Sequence, residues 1–388
     1  MNRGGPGKLK TGDIHTAIMN FGLDGEEQLV VSTIRRLVDK EIREWAADAD
    51  RKGEPPGKLF EIAGEVGFML DAVPAEADGL LEDDYSHQTR ALRSLELGRG
   101  CAALAALLET NVEPALAVGR WGSEPAKAAL FGSLSDGGLA ATAHDFYGRL
   151  GVRAVGDKLI LSGTIGPLPA LARATHVLVA AYAGDAGTER GHPVLFLLDL
   201  EAGGIEREAL AMSGWRAALW ATASLSGATV EPAMILSRGE AASEAIADVL
   251  AWYRTSLAAR AAGVATAAME HSRRYGDERI QFGTPIGQFE SIARMADENE
   301  TRAKAARLLV LEAAWQLDSG AAAGRDTASR ARDFAADVVS RATIDAVQIY
   351  GGYGFVNDFP VEKLMRDARA FEVLLGNEAL GRVLGGTK

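Results

Sequence analysis

Apolar positions along this chain follow a helical period, then an extended one, then a helical one again. In the first stretch Leu29 and Leu37 recur among Thr33, Arg36, Lys40 and Glu41, with Asp24 placed as an N-cap, and the spacing predicts a helix from Phe21 onward. LFEIAGEVGFMLDAVPAEADGL continues the pattern, and helices follow through LRSLELGRGCAALAALLETN and PALAVGRWGSEPAKAALFGSL. The character changes near residues 136–138, where short apolar runs bounded by Gly, Pro and Asp begin. KLILSGTI, HVLVAAY, PVLFLLDL and ATASLSGATV have the length of strands, and most are rich in branched residues. Long helical stripes return at 241–275, 289–318, 324–350 and 361–384, which predicts a bundle. The chain therefore divides into a flexible tail (1–19), an N-terminal all-α domain (20–137), a central β-domain (138–238) and a C-terminal four-helix bundle (239–388).

Composition narrows the chemistry. With 388 residues and 47% hydrophobic positions, the chain has ample material for a large core. A net charge of −12 argues against a nucleic-acid or anionic-membrane surface, although Arg273, Arg274 and Arg279 form a local cluster suited to phosphate. No apolar run reaches membrane-spanning length and the start has no signal-peptide core, so the sequence reads as cytoplasmic. The lone Cys101, in GRGCAALAALL, reads as a buried residue of an apolar helix. The histidines, at 15, 87, 144, 176, 192 and 271, show no metal-ligand spacing, and no GxSxG elbow occurs.

The stretch QIYGGYGFVNDFPVEKLMRDARAFEVLLGNEALGR ends one helix, turns on Gly351, Gly352 and Gly354, and begins another at Pro360. On its own the GGYG turn is neither a Rossmann nor a P-loop signature and reads equally as a helix-breaking loop. The full run resembles the C-terminal flavin segment of the acyl-CoA dehydrogenase family. In that family the Gln and Gly-Gly lie against the ADP part of FAD, which implies such contacts for Gln348, Gly351 and Gly352. RRYGDERIQFGTPIGQFESI is similar to the segment that reaches a partner subunit's FAD: Arg279, Phe282 and Gly283 match its Arg-x-x-Phe-Gly. The resemblance implies that Arg279 forks onto the pyrophosphate, with Gln281, Phe282 and Phe289 lining the same site. Read without the resemblance, Arg279 is an exposed residue compensating a helix dipole. The helical, β, helical order matches the same family, so an acyl-CoA dehydrogenase-like fold is expected. With it come FAD, an acyl-CoA thioester substrate, an electron-transfer acceptor and a homo- or hetero-tetramer with a related subunit.

Three departures stand out. The family's base, a Glu that removes the substrate's α-proton, aligns with Leu375, and leucine cannot accept a proton. Some relatives carry the base on the helix VLAWYRTSLAARAAGVATAAMEH, where the aligned residue is Tyr253; a tyrosine there reads first as packing. Glu372 and Glu378 flank Leu375 three residues away on either side. LAATAHDFYGRLG and SGTIGPLPALA replace the motifs that pack the flavin ring, keeping only Thr142 and losing the aromatic wall near Gly166 and Pro167. Phe289-Glu290 stands where relatives have Phe-Gln. No catalytic residue is assigned. Three readings follow: the base-lacking subunit of a heteromeric FAD-dependent acyl-CoA dehydrogenase, a self-sufficient flavoenzyme with an atypical base, or a non-catalytic scaffold.

Overall fold

In the computed structural model of the chain, the residues described are 25–145, 148–184 and 191–374. The expected tail, the cap at Asp24, and Leu375 and Glu378 lie outside them, as does the side chain of Glu372.

The N-terminal domain contains α1 (Gly25–Leu37), a π-helical turn (Val38–Ile42), α2 (Arg43–Lys52), α3 (Lys58–Glu65), α4 (His87–Gly100), α5 (Ala102–Leu108), α6 (Val112–Trp121) and α7 (Glu124–Ser135). Caps follow the sequence: the Ser86 hydroxyl accepts from Thr89 N–H to start α4, and Ser123 accepts from Ala126 N–H to start α7, where Pro125 occupies the first turn. One expectation is corrected here. Cys101 is buried, but it lies in extended backbone (φ −162°) that breaks the predicted single helix into α4 and α5.

The β-domain is one eight-stranded sheet. Its strands are β1 (Leu139–His144), β2 (Leu150–Val155), β3 (Lys158–Leu168), β4 (Ala174–Gly184), β5 (His192–Asp199), β6 (Ile205–Ala209), β7 (Ala221–Val230) and β8 (Ile235–Arg238). The order is β6-β7-β3-β2-β4-β5-β8, with β1 also pairing β4 in parallel. Both faces of the centre are covered. Val177 and Val179 of β4 and Phe196 of β5 enter the main core, while Leu178, Leu195 and Leu197 point the other way against Leu130, Phe131 and Trp252. A strand covered on both sides reads as a continuous apolar run, as HVLVAAY and PVLFLLDL do.

The C-terminal domain consists of α8 (Gly239–Glu278), a small hairpin of β9 (Ile280–Gln281) and β10 (Thr284–Pro285), α9 (Glu290–Asp318), α10 (Gly324–Tyr350), a 3-10 turn (Gly351–Phe355) and α11 (Pro360–Leu374). The 40-residue α8 is the spine, packing along α10, α4 and α9. It meets α4 almost backbone to backbone: a Cβ on Gly263 would lie 2.2 Å from the Leu95 carbonyl oxygen, and one on Gly98 2.4 Å from that of Arg260. No side chain fits at either position, so the two glycines fix the separation between the N-terminal domain and the bundle.

Candidate functional site

Two regions answer the sequence reading, and they differ in character. The first is an exposed patch. Helix α8 ends at Arg279, whose N–H closes on the Tyr275 carbonyl at 2.9 Å, and the β9–β10 hairpin turns through Phe282 (φ +55°) and Gly283 (φ +78°). Helix α10 ends at Gly351, whose φ of +58° and ψ of −131° belong to a region that only glycine enters freely.

Tyr275 stacks on Tyr350 with centroids 4.0 Å apart and planes 13° apart, and Phe359 packs edge-on to both, so the two chain ends are locked together. The Arg279 guanidinium sits over the Tyr353 ring at 5.5 Å. Two segments separated by some seventy residues of sequence thus form one surface.

Each residue expected there is present. Gln281 and Gln348 are exposed, Phe282 is 97% exposed with Phe289 edge-on at 6.5 Å, and a Cβ on Gly351 or Gly352 would meet nothing. Ile280, Tyr353, Phe355 and Val356 are exposed beside them. Of the arginine cluster, Arg273 is not free for a phosphate: it pairs with Asp297 and, at 2.7 Å, with Glu300. A guanidinium, bare glycine backbone and aromatic faces make a surface that fits the nucleotide end of a dinucleotide.

The second region is a small, partly enclosed cavity. Thr142, Tyr253 and Leu374 converge there, which places the ring-side threonine, the alternative base position and the neighbour of Leu375 at one point. Its volume is 20 Å³. That is room for about one water, against roughly 300 Å³ or more for a pocket that takes a small organic ligand.

The side chains lining it were not foreseen. Glu109 and Glu113 face the cavity from the N-terminal domain, Arg260 from α8 and Trp215 from the β-domain. Arg93 donates from Nε to Glu109 at 3.0 Å and pairs with Asp71, the Ser94 hydroxyl donates to Glu109 at 2.7 Å, Arg260 approaches it at 3.5 Å, and Arg90 donates to Glu113 at 2.8 Å. Trp215, at φ +50°, is fully buried; its backbone N–H donates to Asp367 at 2.8 Å, and the Phe371 ring stands edge-on to it at 4.9 Å. Lys363 donates to the same carboxylate at 2.5 Å. The Lys363–Asp367 pair of the KLMRD stretch therefore fixes the tryptophan that helps line the cavity.

Electrostatics disqualify these groups as bases. Burial alone would raise the Glu109 carboxyl, but the guanidiniums of Arg93, Arg260 and Arg90 and the Ser94 hydroxyl hold it below its ordinary range. Burial pushes the Tyr253 phenol up, away from the ionised form a base requires. His144, tilted against Tyr253 at 5.5 Å, is held neutral at a pKa of about 3 by burial and by Arg254. The Trp215 indole N–H and the Thr142 hydroxyl are buried without a hydrogen-bond partner. Both edge a cavity that has room for one small bridging molecule. A flavin ring does not fit there. Among the described residues no cluster of His, Cys, Asp or Glu could hold a metal ion, and no helix is long and apolar enough to cross a membrane.

Comparison with known proteins decides the family. The sequence profile of the acyl-CoA dehydrogenase N-terminal domain matches residues 24–138, and that of the acyl-CoA dehydrogenase C-terminal domain matches residues 243–384. The chain belongs to the acyl-CoA dehydrogenase family. It is 28% identical over 380 residues to the probable acyl-CoA dehydrogenase YngJ of Bacillus subtilis (strain 168), covering 94% of this chain and 98% of that one. The structure of butyryl-CoA dehydrogenase from Megasphaera elsdenii superposes with a TM-score of 0.82 at 23% identity, over 94% of this chain and 98% of its own. PigA, solved with FAD and proline, gives a TM-score of 0.83 at 18% identity, over 94% and 97%. These two likenesses establish the fold. The family is one of FAD-dependent oxidoreductases, and the expected α, β, α architecture is the one found.

Proposed function

We propose that this chain is the base-lacking subunit of a heteromeric FAD-dependent acyl-CoA dehydrogenase, and that its Arg279 surface closes over the nucleotide end of an FAD whose ring is seated in a related partner chain. The observation that carries this reading is the contrast between the two regions. The nucleotide surface is open and chemically complete, while the chain's own ring and acyl cavity measures 20 Å³ and is filled by ion-paired side chains. FAD, when bound, supplies the hydride-accepting chemistry. This chain supplies the Arg279 guanidinium toward the pyrophosphate, glycine backbone at Gly351 and Gly352, and the side chains of Gln281, Phe282, Phe289 and Gln348 around it. The partner supplies the open cavity and the carboxylate that takes the α-proton from the acyl-CoA thioester.

The surface also favours assembly. Phe282, Phe355, Ile280 and Val356 form an exposed apolar patch around the site, as expected of an interface in a tetramer. A second copy of this chain would offer the same 20 Å³ cavity, so a flavin bridging two identical copies would have no seat for its ring. The self-sufficient reading is weakened because both carboxylates facing the cavity, Glu109 and Glu113, are already bound by arginines.

Flavin absorbance and native mass of the chain, purified alone and co-expressed with a related acyl-CoA dehydrogenase chain that carries a Glu at the base position, test the proposal. Alone it should hold no flavin and oxidise no acyl-CoA; the mixed assembly should do both. Stoichiometric FAD and acyl-CoA oxidation by the chain alone would overturn the reading.

A further inference from the structure

Further along α8 the chain carries a cleft of 410 Å³, within the size range of small-molecule sites, that shares no lining residue with either region described above. Gly263 of α8 lines it where α4 and α8 meet, and the buried pair Leu92 and Leu95 of α4 forms its apolar floor. Its walls are charged. The π-helical turn at Val38–Ile42 brings in Asp39, α4 gives Glu96 and Arg99, α8 gives Glu270, and α9 gives Arg307.

Every carboxylate in the wall is already satisfied. Glu96 accepts from Arg35 at 2.5 Å and from Arg99 at 2.8 Å, Asp39 accepts from Arg99 at 2.7 Å, and Glu270 pairs with Arg43 and with Arg99 at 3.4 Å. Arg307 has no hydrogen bond or ion pair to any described residue. The three carboxylates face four guanidiniums, those of Arg35, Arg43, Arg99 and Arg307, so the site has one uncompensated positive charge above an apolar floor.

We infer that this cleft binds a small organic carboxylate, its head forked on Arg307 and its short hydrocarbon body on Leu92 and Leu95. The guanidinium fork matches a carboxylate in two hydrogen bonds, and burying a few methylenes on the leucine floor adds to the affinity. This site is independent of the flavin reading, since it shares no residue with the Arg279 surface or the 20 Å³ cavity.

Titration calorimetry of the full chain with hexanoate, at constant ionic strength, tests it, with inorganic phosphate and hexanol as the other ligands. Hexanoate should bind saturably at one site. Binding should weaken about tenfold or more in Arg307→Gln, the loss of one charge-assisted contact. Arg307 is exposed, so this variant keeps the fold, and Arg279→Gln serves as the control that leaves binding unchanged. Hexanol should not bind saturably, which establishes the carboxylate as necessary, and phosphate should bind more weakly than hexanoate, which establishes the floor. Absence of saturable hexanoate binding, binding unaffected by Arg307→Gln, or phosphate binding more tightly than hexanoate would each overturn the proposal.

Discussion

Replacing Glu109 by glutamine takes one charge out of a buried cluster that is otherwise balanced. Arg90, Arg93 and Arg260 stand against Asp71, Glu109 and Glu113: Asp71, Arg93, Glu109 and Arg260 form one chain of contacts, and the Arg90–Glu113 pair couples to it electrostatically. The Glu109 side chain is 0% exposed, so no solvent screens the change. The amide keeps the volume and can still accept from Ser94, which leaves charge as the variable. Arg93 and Arg260 then face each other across a neutral group, and breaking a buried pair in this way costs about 3–5 kcal/mol. Against a total stability of about 5–15 kcal/mol, that is a large fraction. Urea unfolding followed by circular dichroism near neutral pH should show the midpoint fall accordingly. Adding Arg260→Met restores the balance and should recover more than about 1 kcal/mol, a coupling expected of contacting residues. A loss under about 1 kcal/mol for Glu109→Gln, or a double variant no more stable than the single one, would refute the view that these charges are structural closure.

Other outcomes follow from the same geometry. In the mixed assembly, Arg279→Ala should lower flavin retention through gel filtration about tenfold or more by removing a charge-assisted contact; unchanged occupancy contradicts the assignment of that surface. Leu375→Glu in the chain alone should not yield acyl-CoA oxidation, because a 20 Å³ cavity excludes both ring and thioester; turnover by that variant would show that the cavity opens. Acid should destabilise the fold. Burial, with Arg43 and Arg274, holds His271 at a pKa of about 4, and burial holds His87 and His144 at about 3. Below the unfolded value near 6.5 the unfolded chain binds protons that the folded one refuses, so stability falls with pH by up to about 1.4 kcal/mol per unit for each histidine. Urea midpoints measured at stepwise lower pH should drop steeply below about pH 6, and less so in His144→Gln; a flat profile contradicts these burials.

The long amphipathic helices and the strongly apolar strands were legible because a period sustained over many residues averages out local exceptions. The predicted 324–350 coincides with α10, and ATASLSGATV is β7. The strands that sequence reading passed over carry a weak signal: β1 is LAATAH, buried but alanine-rich, β2 is LGVRAV, a short alternation with Gly151 in it, β6 is the polar edge strand IEREA, and β8 spans only ILSR. The exposed surface that joins Arg279 to the Gly351 turn was legible from its local motifs. The ion-paired lining of the cavity was not, because Arg90 and Arg93 look like an ordinary solvated helix face in RALRSLELGRG. Their partners Glu113 and Glu109 lie 23 and 16 residues further on, and only the fold shows that the charges meet in the interior. One signal was available in ALAALLETNVEPALAV: two carboxylates at helical spacing between apolar runs require buried cations to accompany them.

The energetics of the two regions point in opposite directions, and the proposed partner rests on that contrast. Inside, the cluster is satisfied by the chain itself; nothing need be added, and entry of a ring would require breaking pairs worth several kcal/mol. At the surface the chain is left unsatisfied. Phe282 is 97% and Phe355 74% exposed beside a glycine backbone that a ligand can approach closely. Covering each phenyl ring stabilises an assembly by about 1.5–3 kcal/mol, and a charge-assisted contact from Arg279 adds to it. The favourable change available to this molecule is therefore association through its Arg279 face, which supports the proposal that a flavin held at that face has its ring in another chain.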